Sequence, residues 1–231
     1  MRIALISDVH GNYPALLAVF ERIRKENCDL VISLGDVAGY YCMINECIEF
    51  LKENEAVNIL GNHDKYLFSG VECRRSTSAN VCIEFQRNVI TFENLEWLRG
   101  SIREYRNSHY WFVHGGWNDP LEEYVGSFDF SGMSDCGAKL FASGHTHIQK
   151  VQQNGCLTYV NPGSVGQPRD GDPRAAFVII NEAGDVSLCR EEYDIDDIAF
   201  AMKANGFGSR FYEGLYCGTG IQQFGSGDVS V

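Results

Sequence analysis

Five times in this 231-residue chain a short apolar run stops at a residue able to hold a metal ion. IALIS runs into Asp8-Val9-His10, VISLG into Asp36, and VNIL-Gly into Asn62-His63-Asp64. YWFV runs into His114-Gly115, and LFASG into His145-Thr146-His147. Apolar runs of this length, bounded by glycine and polar turns, read as strands. In open α/β sheets ligands bind in the crevice beyond the carboxyl ends of the strands, so five such ends predict one polar rim. Five of the six histidines sit there, His109 being the exception. Asp8 or Asp36 alone would pass as a helix N-cap. Caps do not explain the joint pattern.

Around these ends the first half alternates strand and helix. Arg2–Ser7, Leu30–Leu34 and Ala56–Leu60 are expected strands, and Tyr13–Lys25 and Ile44–Lys52 expected helices, with Leu16, Leu17, Phe20 and Ile23 at helical spacing. Such alternation predicts βαβ units and a parallel sheet core. Residues 66–108 lack strand grammar at first and read as a helical cap region over the site, with helices over Asn80–Asn88 and Thr91–Arg99. Short strands then follow at Tyr110–His114, Lys139–Ser143, Gln149–Gln153, Leu157–Val160, Ala175–Ile180 and Asp185–Glu191. They predict a second, more antiparallel sheet, closed by a helix over Asp194–Ala204. The glycine-rich tail, 206–231, is expected to fold back at first and to fray by about Gly225. One domain spanning 1–231 is the expected organisation.

Composition narrows the function. A formal charge of −12 speaks against a protein that tracks long nucleic acid, which needs Lys and Arg to displace counterions. A phosphate site must then bring its own positive charge, and metal ions supply it. No apolar run approaches the ~20 residues of a membrane span. The N-terminus starts a strand pattern at once and does not read as a signal peptide. The nine cysteines are odd in number and form no CxxC pair, which suits free thiols in a reducing compartment. A cytoplasmic location is the expectation.

The donor types indicate the metal class. Asp, His and Asn without Cys make a mixed oxygen and nitrogen site, suited to Mn first, with Fe, Zn, Ni or Co as alternatives. Asp8, His10, Asp36, Asn62, His114, His145 and His147 are too many for one transition ion that keeps an open position. Shared between two divalent ions through a bridging carboxylate, they leave room for water on both. Two ions about 3.5–4 Å apart clamp an in-line displacement at phosphorus.

Asp8-Val-His10, Gly35-Asp36-Val-Ala-Gly39, Gly61-Asn62-His63-Asp64, His114-Gly115 and Gly144-His145-Thr-His147 occur in one order over residues 1 to about 190. In this the chain resembles the calcineurin-like metallophosphoesterase superfamily. The flanking text, including NPGSVGQPRDGDPRAAF, is similar to its bacterial and archaeal predicted phosphodiesterases, a branch related to diadenosine tetraphosphatases. The resemblance implies an α/β fold of four layers, two packed mixed sheets flanked by helices. It implies that Asp8, His10 and His147 hold one metal, that Asn62, His114 and His145 hold the second, and that Asp36 bridges. It further implies attack on phosphorus by a metal-bridging hydroxide, with Asn62 and the ions neutralising charge. His63 would be the general acid and Asp64 would orient its ring. Gly39-Tyr40 and Asp64 stand where protein serine/threonine phosphatases carry Asp-Arg and Glu, so a small-molecule or nucleotide ester is expected, as diester or monoester.

Further residues keep two readings. Asn12 suits substrate contact or an N-cap for the following helix. Tyr40, Tyr41 and Trp117 suit stacking on a base or packing. Arg169 suits phosphate, a neighbour in a homo-oligomer, or a solvated loop. Asn161 lines the site or makes a turn, Lys65 is a surface lysine unless it touches substrate, and His109 is structural. A nuclease, or a metal-free binding scaffold on the same fold, are the competing functions.

Overall fold

Side chains alternate across a strand, so each strand here meets two different layers. The computed structural model describes residues 1–221, and the fraying expected beyond Gly225 lies outside the described residues. Strands β1 (Ile3–Ile6), β2 (Leu30–Ser33) and β3 (Val57–Asn58) run parallel, joined by helices α1 (Tyr13–Lys25) and α2 (Ile44–Glu53). Ala4 and Ile6 of β1 pack with the helices, while Ile3 and Leu5 enter the layer between the sheets. Helix α1 buries Leu16, Val19, Phe20 and Ile23 on one face, starts with Pro14 in its first turn and ends on Arg22, Arg24 and Lys25. That placement suits the helix dipole.

Helices α3 (Asn62–Ser69), α4 (Thr77–Val89) and α5 (Phe92–Arg99) follow. Ser76 and Thr91 cap α4 and α5 through their hydroxyls. Tyr66, Leu67, Ala79, Cys82, Ile83 and Leu98 sink into the same core as α1 and α2. The 66–108 region is thus largely a core wall beside the site, and its 70–76 turn reaches the cavity.

The second sheet has the order β4-β5-β6-β8-β7, from β4 (Tyr105–Arg106), β5 (Tyr110–Phe112), β6 (Leu140–Ala142), β7 (Gln149–Asn154) and β8 (Leu157–Pro162). Its centre, β5-β6-β8, is parallel, and only the edges β4 and β7 are antiparallel. The expectation of a more antiparallel second sheet is therefore corrected. Strands β9 (Ala175–Ile180) and β10 (Val186–Glu191) leave it and join the first sheet, β9 lying antiparallel to β1. All six residues of AAFVII are buried, Phe177 and Ile179 against the helices, Val178 and Ile180 between the sheets. A strand buried on both faces belongs inside a sheet, not at an edge.

Ile3, Leu5, Ile32, Phe112, Val160 and Val178 fill the space between the sheets. Each such burial stabilises by about 1.5–3 kcal/mol. The outer face of the second sheet carries Phe141 and Tyr159 against Trp117 and Phe128 of the 113–139 connection. Helix α6 (Ile195–Ala204) and two short 3₁₀ turns close the described chain, burying Phe207, Phe211 and Leu215. The chain is an α/β fold of two mixed sheets flanked by helices. Among the described residues no helix is long and apolar enough to cross a membrane.

Candidate metal centre and active site

The carboxyl ends of β1, β2, β5 and β6 rise to one edge, and backbone bonds lock their loops together. Asp8 N–H donates to Gly35 O, His10 N–H to Asp36 O, and Gly144 N–H to His114 O. Asp8, His10, Asp36, His145 and His147 all have φ between 53° and 64°, the left-handed region. These five are among only seven non-glycine residues with positive φ in the described chain. Such a conformation costs about 1–3 kcal/mol each and persists where the surroundings enforce it, as at functional sites. Glycine is required where these loops touch: a Cβ on Gly39 would lie 2.1 Å from His10 Nδ1, and one on Gly61 2.1 Å from Asp36 Oδ1.

Each aspartate is half used. Asp8 Oδ2 accepts from Ser7 Oγ at 2.6 Å and His145 N at 3.0 Å, while Asp8 Oδ1 is buried without a hydrogen-bond partner among the described residues. Asp36 Oδ1 accepts from His63 N at 2.8 Å, and Asp36 Oδ2 is buried and unpartnered in the same way. Histidine nitrogens surround the two unpartnered oxygens. His147 Nε2 is 3.3 Å and His10 Nε2 3.8 Å from Asp8 Oδ1; His114 Nε2 is 3.4 Å and His10 Nε2 3.9 Å from Asp36 Oδ2.

The rings are turned by backbone carbonyls. His10, His114 and His147 give Nδ1–H to Ala38 O, Leu34 O and Gln167 O at 2.7, 2.8 and 2.6 Å. His10 and His147 then present a bare Nε2, the tautomer of a metal ligand, and His114 does so once its second proton leaves. His10 Nε2 and His147 Nε2 face each other at 3.1 Å, and His114 Nε2 faces Asn62 Oδ1 at 2.9 Å. Two acceptors in such contact are unfavourable unless a cation or proton lies between them. Burial first, then the neighbouring His147, lowers the His10 pKa well below its ordinary value. Burial lowers that of His147 likewise and takes that of His145 to about 3. These rings stay neutral, so a metal fits and a proton does not. For His114 burial also works downward, but the Asp36 carboxylate outweighs it and raises the pKa to about 9.

Donor atoms of Asp8–His10–His147 lie within 4.8 Å of one another, as do those of Asp36–His114–His145 and of His10–Asp36–His63. The structure therefore brings all seven residues named from the strand ends into one buried cluster, with Asp36 in contact with both triads. His63 lies in reach as well, its Nδ1 buried without a partner among the described residues.

Residues 1–184 match the sequence profile of the calcineurin-like phosphoesterase superfamily domain. The chain belongs to the calcineurin-like phosphoesterase superfamily. This phosphoesterase is 32% identical over 216 residues to an uncharacterized protein of Methanocaldococcus jannaschii, covering 84% of the chain and 88% of the relative. It is 23% identical over 202 residues to phosphodiesterase YfcE of Escherichia coli, covering 86% and 98%. A crystal structure of a metallophosphoesterase from Sphaerobacter thermophilus superposes with a TM-score of 0.81 at 28% identity, over 94% of this chain and 99% of that one. The phosphoesterase is thus a metal-dependent hydrolase with Asp and His groups placed to hold divalent ions.

The geometry corrects one further expectation and decides two readings left open. Asp64 does not touch the His63 ring: its carboxylate accepts from the N–H groups of Asp36, Ala38 and Gly61 at 3.0, 2.8 and 3.1 Å. It ties the bridging-aspartate loop to the start of α3. Burial and the Asp36 carboxylate push its pKa up to about 7, against three N–H donors that favour the ionised form. For Asn12 the N-cap reading holds: it caps α1 and donates to Gly166 O at 2.9 Å and Tyr193 Oη at 3.1 Å. Arg169 is no solvated-loop residue. Its guanidinium binds Gln167 Oε1 and lies 5.3 Å over the Tyr40 ring.

A cavity of about 370 Å³ opens beside Asn62 and His63, walled by Tyr40, Arg75, Ser76, Tyr124 and Arg169. Tyr40 thus reaches the cavity, whereas Tyr41 is buried on Gln167 and Trp117 sits in the aromatic cluster of the second sheet. Lys65 and His109 are exposed. Asn161 supports rather than lines: its amide donates to Gly144 O at 2.7 Å and Thr146 Oγ1 at 3.1 Å, holding the turn that carries His145 and His147. Sequence reasoning missed Arg75 and Tyr124, whose rings and charge lie against His145. The adjacent Arg74-Arg75 pair in an acidic chain was the available signal.

Proposed function

We propose that this phosphoesterase hydrolyses a phosphodiester or phosphomonoester of a small molecule or nucleotide. In this reading Asp8, His10 and His147 hold one divalent ion, Asn62, His114 and His145 hold a second, and Asp36 bridges. The observation that carries it is the pair of buried oxygens without a partner among the described residues, Asp8 Oδ1 and Asp36 Oδ2, facing the Nε2 atoms of His10, His147 and His114, whose Nδ1–H groups are already given to backbone carbonyls. Bound divalent ions supply Lewis acidity and a nucleophilic water near neutral pH.

The chain's own groups do the rest. In this reading the Asn62 amide nitrogen donates to an equatorial phosphate oxygen as charge grows on it. His63 lies on the cavity wall and in this reading gives a proton to the departing oxygen. Burial lowers the His63 pKa, so the ring takes its proton in the field of a bound phosphate. The cavity volume suits a small molecule, and the relative named a phosphodiesterase supports the reaction class. Mixed oxygen and nitrogen donors favour manganese, with Fe, Zn, Ni or Co as alternatives. Nine free thiols support a reducing, cytoplasmic setting.

A binding scaffold without catalysis is the reading to beat, and the complete donor set speaks against it. The deciding assay is hydrolysis of bis-p-nitrophenyl phosphate and p-nitrophenyl phosphate by Mn²⁺-loaded protein. Release of p-nitrophenolate that stops with EDTA supports the enzyme; none with either ester supports the scaffold.

A further inference from the structure

The last described residues, Gly220 and Ile221, line the cavity beside Tyr40 and Arg169, although they lie beyond residues 1–184 that match the superfamily profile. A buried anchor brings them there. Leu215 is buried in the core, and the chain turns back after it through Gly218, whose φ is 62°. Gly218 N–H donates to Leu215 O at 3.2 Å and Thr219 N–H to Gly214 O at 2.9 Å. Gly218 O accepts from Gly171 N–H at 3.0 Å, which docks this strap on the loop that carries Arg169. The fit there is close, since a Cβ on Gly218 would lie 2.4 Å from the Asp172 carbonyl carbon. A Cβ on Gly220 would lie 3.1 Å from Arg169 Nε. Arg169 N–H in turn donates to His147 O at 3.1 Å, so one loop joins the strap to the proposed metal ligands.

The strap adds what the rest of the cavity lacks. Asn62, His63, Arg75, Ser76 and Arg169 bring polar groups to it. Tyr40 and Tyr124 each have a guanidinium group over the ring, Arg169 at 5.3 Å and Arg75 at 4.7 Å. Ile221 is the one aliphatic side chain lining the cavity among the described residues. It is half-buried and packs against the hydrophobic core, which leaves apolar surface still open. Covering such surface is favourable in proportion to its area. With the phosphoryl group at the proposed metal ligands, the cavity beside Asn62 and His63 is the space for the organic part of the ester. Ile221 is the group there that an apolar face can cover.

We propose that Ile221 is a specificity-determining residue, the wall met by an apolar face of the ester's organic part, and that Gly218 positions it by docking the strap on the Asp172 loop. This rests on the phosphoesterase reading above. The test is calorimetry on Mn²⁺-loaded protein at fixed free Mn²⁺, titrated with methylphosphonate and with phenylphosphonate. The two probes share a non-hydrolysable phosphonate and differ only in the organic part. The wild type is expected to bind phenylphosphonate at least about fivefold tighter. Ile221→Gly should bring the two affinities within about twofold of each other, and Ile221→Leu should keep the preference. Gly218→Val, which drives a side chain into the Asp172 backbone, should lower the preference as Ile221→Gly does. A variant that merely loosens the fold weakens both probes and leaves their ratio, so Ile221→Gly decides the matter even if Gly218→Val does not fold. A preference that survives Ile221→Gly, or a wild type that binds both probes alike, overturns the proposal. If p-nitrophenyl esters are hydrolysed and the ratio ignores Ile221, the wall alone falls. If the ratio responds to Ile221 and no ester is hydrolysed, the enzymatic reading falls and the wall stands.

Discussion

His10 Nε2 and His147 Nε2 face each other at 3.1 Å, although each ring has already given its Nδ1 hydrogen to a carbonyl, Ala38 O for one and Gln167 O for the other. Burial disfavours the charged form of both rings, so protonation does not relieve the contact. A shared cation does. Metal should therefore stabilise the fold. At a free concentration a hundred times Kd, one bound ion adds about 2.7 kcal/mol. In a domain of this size that is a rise in Tm of about 5–10 °C. Thermal scans with Mn²⁺ and then EDTA check it, and a Tm indifferent to both contradicts the site.

Asp64→Ala separates a structural from a catalytic role. Its carboxylate holds three buried N–H groups, those of Asp36, Ala38 and Gly61. Leaving them without an acceptor costs about 1–3 kcal/mol each, offset in part by water entry. Denaturant unfolding should show a loss of about 3 kcal/mol or more. A variant of wild-type stability with reduced activity would instead favour the ring-orienting role.

Metal affinity should depend on pH with a definite sign. Burial alone would lower the His114 pKa, but the Asp36 carboxylate carries it to about 9 in the metal-free protein. Coordination needs the neutral ring, so one proton leaves His114 as metal binds below that pH. Apparent affinity then rises about tenfold per pH unit and levels off above the His114 pKa. Competition with a chromophoric chelator between pH 6 and 8 reads the slope, and a flat profile contradicts it.

His63→Ala tests the proton donor. Both metal equivalents should remain, because the proposed ligand set excludes His63. Activity on an ester with an alkyl leaving group should fall by about 100-fold to 10,000-fold, and on a p-nitrophenyl ester by less than about tenfold. Nitrophenolate departs without a proton, which explains the difference. Loss of one metal equivalent in this variant would make His63 a ligand, as its place beside His10 and Asp36 allows.

The donor cluster was legible in the sequence because each donor follows a strand end by no more than five residues. Local grammar alone then places it on the rim. Its surroundings were not legible, since they depend on which distant loop packs where. Arg75 and Tyr124 are about fifty residues apart and meet only at His145. Asp64 looked like a partner for the adjacent His63, yet the helix start turns its carboxylate toward the Asp36 loop. AAFVII was readable as a strand, but nothing local in it says that it pairs with β1 rather than β8.

The central claim is two metal ions shared through Asp36. Equilibrium dialysis against Mn²⁺ followed by elemental mass spectrometry measures it directly. The arrangement predicts two equivalents per chain in the wild type, with Asp36→Asn retaining fewer. One equivalent or none in the wild type at saturating Mn²⁺ would contradict it.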